Sequence, residues 1–433
     1  MILIYTKQKT ARLEYIAKFL LSDILQVDYE FTTDEDAFAL SHQAKICYAE
    51  EPIGESFFIK AHDLLFQEDI IARHIDVGEV QKTKVLFPNT EGDILFDPFA
   101  AAFYMISRYE EYLPFYPDIH GRFEAHLSIA AEHVFLREPV VDQWAFILRD
   151  RLKRKYPHLH FKDRQFKFIP TVDVDNAYAF LYKGVVRTVG ATFRSLFKRD
   201  FDDNVQRFKT LKSEEKDPFD TYDLYEELHE KYHVQPIWFF LVGDYGPYDK
   251  NVRKEKEAFQ ELIKKIAADN KIGIHPSYES NKSFVTLKNE FRFLEGLTGK
   301  SIKRSRQHYL KLQLAITYRK LIELGVEEDY TMGYASDAGF RAGTCTPFHF
   351  YDLYHERETK LKIYPFQVMD IALNQYLRLS VDEAIEIIKV LVDRVRKVNG
   401  TFISLWHNES LSDHGYWKGW KPVYHEMLKA IYE

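Results

Sequence analysis

Apolar positions along this chain fall into two alternating registers. Short apolar runs at residues 2–5, 26–31, 45–48, 57–59 and 84–87 have the length and composition of strands. Residues 11–25 instead place Leu13, Ile16, Phe19, Leu20 and Ile24 at helical spacing. Residues 97–113 and 139–155 also read as helices, each with Asp or Pro near its start. Residues 1–160 therefore predict a small N-terminal α/β domain. It holds no glycine-rich phosphate loop and no cluster of His or Cys, so it reads as an accessory or docking domain without chemistry of its own. The run Tyr109-Glu110-Glu111-Tyr112 reads as a solvated helix face.

From residue 166 strands and helices alternate more regularly. The predicted strands are 166–172, 236–242, 271–274, 330–333, 362–364 and 401–405. The predicted helices are 221–232, 254–269, 284–297, 308–324 and 381–399. The last of these has Ser380 as N-cap, Glu383 at the capping-box position and Gly400 as its stop. Such alternation predicts a parallel sheet closed, or nearly closed, into a (β/α) barrel over residues 161–433. Active groups in that fold sit at the carboxyl ends of the strands.

Composition then excludes some classes. With 59 basic and 66 acidic residues the net charge is −7, without the basic field that nucleic-acid binding requires. Two cysteines, Cys47 and Cys345, cannot build a disulfide framework and fit a reducing compartment. No run approaches the roughly 18 apolar residues of a membrane span, and the first residues lack the pattern of a secretory leader. The expectation is a cytoplasmic protein without an integral membrane segment.

Several predicted strands end in one acid–base or metal-competent group. The run FKFIPTV leads into Asp173-Val174-Asp175, KIGI into His275, and TFISLW into His407, while Arg341 follows the 330–333 strand. On parallel neighbours these groups would converge at one rim. Asp173 and Asp175, two apart in extended chain, point the same way and repel unless a cation lies near them; the alternative is a helix cap. His275 and Glu279, four apart, could share a helical face as half of a metal site, or Glu279 could be solvated and His275 a cap. His308 could complete a metal shell, bind substrate or stand exposed at a helix start. The place of His407 suits a general acid, and Asp370 could hold that imidazole protonated, or cap a helix. Arg341 could clamp a carboxylate such as Asp173. Cys345 has no activating partner and reads as packing.

In this order the residues resemble the polysaccharide deacetylases with a NodB-type domain, carbohydrate esterase family four, from about residue 166 to the end. The family motif Thr-Phe-Asp-Asp-Gly is similar to Thr171-Val172-Asp173-Val174-Asp175, with the second aspartate displaced by one residue. His-Ser/Thr-x-x-His is similar to the segment from His275 to Glu279, with Glu in place of the second His. The Arg motif is similar to Arg341 onward, the fourth motif to the segment around Asp370, and Leu-x-His to Leu405-Trp406-His407. The N-terminal part resembles a domain joined to such deacetylases.

The resemblance implies a metal-dependent hydrolase acting on an N-acetylated sugar, with an O-acetyl ester as the lesser alternative. Asp173 would be the base and His407 the acid, helped by Arg341 and Asp370. Asp175 and His275 would hold zinc or a similar divalent ion, with Glu279 or His308 as third ligand, and Glu279 would shift preference toward a harder, more oxygen-loving metal. Tyr178, Trp406 and Phe340 would contact substrate. The aromatic run 416–420 either stacks on sugar or packs the last helix. The alternative is a catalytically inactive relative that binds a sugar or a partner. A hydrolase of cyclic amides on the same barrel is a further rival.

Overall fold

The computed structural model describes residues 1–197, 199 and 201–433. Near the N-terminus, Tyr29–Thr32, Ile2–Tyr5, Ala44–Ala49 and Phe57–Lys60 form a four-stranded parallel sheet in that order. The 11–25 helix is present as Ala11–Ala17 followed by a wider π-wound turn, Lys18–Ile24. Its first turn is capped by Thr10, whose hydroxyl accepts from the Leu13 N–H at 3.2 Å. Helices Pro98–Ile106 and Val140–Lys155 pack nearby, the former capped by the buried Asp97. The predicted 97–113 helix breaks at Arg108, which has φ 55°. That turn swings Glu111 inward, so the run expected as a solvated face is instead a buried ion cluster: Arg108 donates to Glu111 at 2.7 Å and Arg341 donates to it at 2.5 and 2.9 Å.

The second sheet has nine strands. Their order is Phe348–Asp352, Arg357–Ile363, Glu328–Asp329, Arg304–Ser305, Lys271–Ile274, Ile237–Phe240, Lys167–Val174, Thr401–His407 and Val368–Met369. All pairs are parallel except the first, which is an antiparallel hairpin. Of the expected closed or nearly closed barrel, closure of the ladder is not found among the described residues. Strand Arg357–Ile363 pairs on one side of the gap and Val368–Met369 on the other, with the backbone through Pro365 joining them. Proline has no N–H to donate, and it sits where the chain leaves one neighbour for the other.

The hairpin strand Phe348–Asp352, the two-residue strand Arg304–Ser305 and the helices Val185–Phe197 and Phe201–Leu211 were not foreseen. The expected 308–324 helix begins only at Leu314; residues His308–Leu310 form a tight turn with positive φ at Tyr309 and Leu310. Ser380 and Glu383 form the expected capping box. Gly400, expected as a helix stop, has another task. Asn399 is the left-handed residue, and a Cβ on Gly400 would lie 2.1 Å from Cys345 Sγ. Cys345 is fully buried, in keeping with packing.

One hydrophobic cluster runs through both sheets. Tyr15 packs on Tyr351 with ring centroids 4.8 Å apart, and Arg12 pairs with Glu356 at 2.6 Å. No described helix is long and apolar enough to cross a membrane.

Candidate active site

Strand Thr401–His407 lies beside Lys167–Val174 with His407 opposite Asp173. In-register neighbours project to the same side, so the two side chains share one space. Lys271–Ile274 ends one residue before His275, which brings that ring to the same rim.

Three ligand atoms meet there. Among the described residues Asp175, His275 and His308 form the group able to hold a metal ion, with donor atoms all within 4.8 Å of one another. His275 Nε2 lies 3.0 Å from Asp175 Oδ1, and His308 Nε2 lies 3.2 Å from Oδ2. The opposite nitrogens are engaged: His275 Nδ1 donates to the Arg306 carbonyl at 2.6 Å, and His308 Nδ1 donates to Asp249 at 2.8 Å. This assigns the N–H to Nδ1 and leaves the Nε2 lone pairs pointing at the carboxylate. Asp175 Oδ1 is buried and has no donor in hydrogen-bonding geometry. Lone pairs converging on a buried carboxylate call for a cation between them, or for protons on the rings. The electrostatics agree: burial disfavours ionised Asp175, yet His308, His275 and His407 outweigh it and hold the carboxyl well below its usual range. Burial likewise opposes charge on His308, but Asp175 and Asp249 raise it to about 9.

Asp173 stands beside this group. Its Oδ1 accepts from Arg306 Nη1 at 2.9 Å, and its Oδ2 is 3.8 Å from His275 Nε2. His407 Nδ1 donates to Asp370 Oδ1 at 2.8 Å, leaving Nε2 3.6 Å from Asp175 Oδ2. Asp370 also receives the backbone N–H of His407 at 2.7 Å, that of Ile371 at 2.6 Å, and the Ser410 hydroxyl. Burial pushes His407 down, but Asp370 and Asp175 win and raise it to about 10.

Five expected site residues lie elsewhere. Arg341 does not reach Asp173; it pairs with Glu111 and with the Gly333 carbonyl, because its loop packs against the N-terminal part of the chain. Arg306 takes the clamping place. Glu279 sits on a short 3-10 turn that directs it outward, where it pairs with Lys282 at 3.2 Å with its side chain half exposed. Trp406 alternates away from His407 along the strand and packs on Tyr424, ring centroids 5.2 Å apart. Phe340 is buried in the loop that bonds to Leu136. Tyr178 packs on Tyr182. None of the five lines the cavity.

That cavity has a volume of about 580 Å³ and is walled by Asp173, Asp175, His275, His308 and His407, with Tyr248, Tyr309, Tyr376, Tyr416, Lys250 and Glu409 around them. Tyr416 belongs to the 416–420 run and does face this space, donating to Glu409 at 2.9 Å, whereas Trp417 and Trp420 are buried in packing. Arg122, from the N-terminal part, completes the wall by donating to the Tyr309 carbonyl at 2.8 Å. Sequence reasoning missed Arg306, Asp249, Glu409 and Arg122. None of the four carries a local signal; even the strand before Arg306 is only two residues long.

Residues 2–157 match a protein family described as a family of unknown function (DUF7033). No curated protein matches the chain. Among solved structures it is similar to a provisionally assigned polysaccharide deacetylase from Mycobacterium smegmatis, at 14% identity over 62% of this chain and 86% of that one, with a TM-score of 0.41. It is also similar to a polysaccharide deacetylase from Bacillus cereus (13% identity, 62% and 87% covered, TM-score 0.30). A third is a carbohydrate esterase family four pseudoenzyme from Bacillus anthracis (12% identity, 62% and 63% covered, TM-score 0.29).

Proposed function

We propose that this protein is a metal-dependent hydrolase that removes the acetyl group from an N-acetylated sugar. The supporting observation is the meeting, in one cavity, of an Asp–His–His group fit for a metal, a clamped carboxylate and a charged imidazole. Two imidazole nitrogens and one carboxylate oxygen suit zinc. The harder metal anticipated above rested on Glu279, which lies outside the site. When bound, a divalent ion would supply an acidified water and polarise the acyl oxygen.

The remaining steps belong to the chain's own groups. Arg306 holds Asp173 Oδ1 at 2.9 Å, leaving Oδ2 to take the proton of the attacking water. His407 carries a proton on Nε2 at neutral pH because Asp370 stabilises the imidazolium. It gives that proton to the departing nitrogen. An amine leaves poorly without one, whereas an alkoxide from an ester needs it less, so a strongly charged acid favours the amide substrate. The tyrosines of the wall offer faces on which a sugar ring can stack.

Acetate release from N-acetylated sugar oligomers and O-acetylated sugars, with ring opening of cyclic amides followed in parallel, tests this reading on the metal-loaded protein. Acetate should come from the first class, and Asp173→Asn should lose it while keeping its metal. Absence of turnover on every N-acetylated substrate, or full activity in Asp173→Asn, would overturn it.

A further inference from the structure

Helices Val185–Phe197 and Phe201–Leu211 are amphipathic, yet they sit on the protein by their polar sides. At about 100° per residue, Val185, Val186, Val189, Phe193, Leu196 and Phe197 share one arc of roughly 120°. That arc points outward: Val186 is 87% exposed and Phe197 88%. On the second helix Phe201, Val205 and Phe208 are each more than half exposed. The inward side is polar. Ser195 and Arg207 donate to Asp203 at 2.6 and 2.5 Å, and His414 lies 2.7 Å from Gln206 and 3.4 Å from Asp203. A helix pair held by partly buried hydrogen bonds that turns its apolar stripe to water is the reverse of ordinary packing. Residues 183–212 hold eight Lys and Arg against three Asp, in a chain whose net charge is −7. Lys183, Arg187 and Arg207 are engaged within the protein and Lys209 pairs with Glu215, while Arg194, Arg199 and Lys212 stand exposed. Exposed Arg194 lies on the first helix, and Lys212, just after the second, sits 4.3 Å from the Phe208 ring.

We propose that this helical hairpin docks on an anionic membrane surface, its Phe, Val and Leu side chains entering the headgroup boundary and its basic side chains meeting lipid phosphates. Phenylalanines and leucine on one face with a basic excess form the pattern of helices that lie in a bilayer interface. The hairpin is also fastened beside the catalytic cavity. Lys183 donates to Asn176, and Arg187 donates to the carbonyls of Lys250 and Asn251 at 2.5 and 2.9 Å. Asn176 and Lys250 line the cavity. Docking would hold the cavity at the membrane plane, so a substrate carried on a lipid or at the envelope surface would meet it there. This last consequence rests on the hydrolase reading; the docking itself does not.

Flotation of the full chain with vesicles tests it without reference to turnover. The protein should float with vesicles of equal phosphatidylglycerol and phosphatidylcholine and much less with phosphatidylcholine alone. Phe197→Glu with Phe201→Glu should lower the floated fraction at least tenfold at an unchanged melting temperature. Arg194→Glu with Lys212→Glu should weaken binding at low salt, and Leu40→Glu, exposed elsewhere, should leave it alone. Equal flotation of wild type and the Phe variant, or no wild-type flotation, would overturn the proposal. So would a wild-type dimer that the Phe variant turns into a monomer, since a second copy would then be the cover.

Discussion

Protonation of His407 depends on Asp370, whose two oxygens collect four donors. The imidazole is thereby fixed with one nitrogen toward Asp370 and the other toward the cavity. On the proposed reading, in which His407 is the acid and Asp173 the base, His407→Ala or Asp173→Asn should lower kcat by about 10²–10⁴, measured as acetate release with metal content unchanged. Asp249→Asn removes the negative partner of His308 and should weaken metal affinity about 10–100-fold in a competition titration against a chelator. Asp173, Asp175, His275 and His407 were legible because each is a polar group that ends an apolar strand. Arg306 and Asp249 were not, because their roles exist only through contact: Arg306 meets Asp173 from 133 residues away. His308 was legible as one of two candidate third ligands, beside Glu279; the tight turn at Tyr309 that aims it was not, because it breaks the helical pattern around it.

At the scale of elements, periodicity carried the long helices and the central strands and failed where elements are short or serve two neighbours. Strands Arg304–Ser305 and Glu328–Asp329 are two residues each, too short to show alternation. The same alternation, properly applied, excludes Trp406 from the cavity that His407 enters. Helix Tyr222–Lys231 supplies a test of pH behaviour away from the site. Its His229 is buried, bonded to the Tyr424 hydroxyl at 2.6 Å, and burial lowers it from 6.5 to about 4. A depressed histidine contributes stability that is complete above about 6.5 and lost as pH falls toward 4, because the unfolded chain takes up the proton first. The melting temperature should therefore drop more steeply over that interval in wild type than in His229→Gln. Equal slopes would contradict this account.

Across the whole molecule, the two sheets are joined by buried charge as well as by aromatic packing. Glu111 takes hydrogen bonds from Arg108 and Arg341, and all three side chains are nearly inaccessible. Removing one partner leaves the others charged in a poor solvent, so Glu111→Ala should destabilise the fold by roughly 3–5 kcal/mol in urea unfolding. The sequence pattern carries no trace of this contact, and the acidic run reads in it as a solvated face. Arg122 follows the same logic: its place in the cavity wall comes from how the N-terminal part packs, not from any local motif.

The central claim is that Asp175, His275 and His308 hold one divalent metal. Elemental analysis of protein stripped with chelator, reloaded with zinc and desalted tests it most directly. The account predicts one zinc per chain in wild type and in Glu279→Ala, and none retained in Asp175→Ala or His308→Ala. Wild type without bound zinc, or a requirement for Glu279 rather than His308, would contradict it.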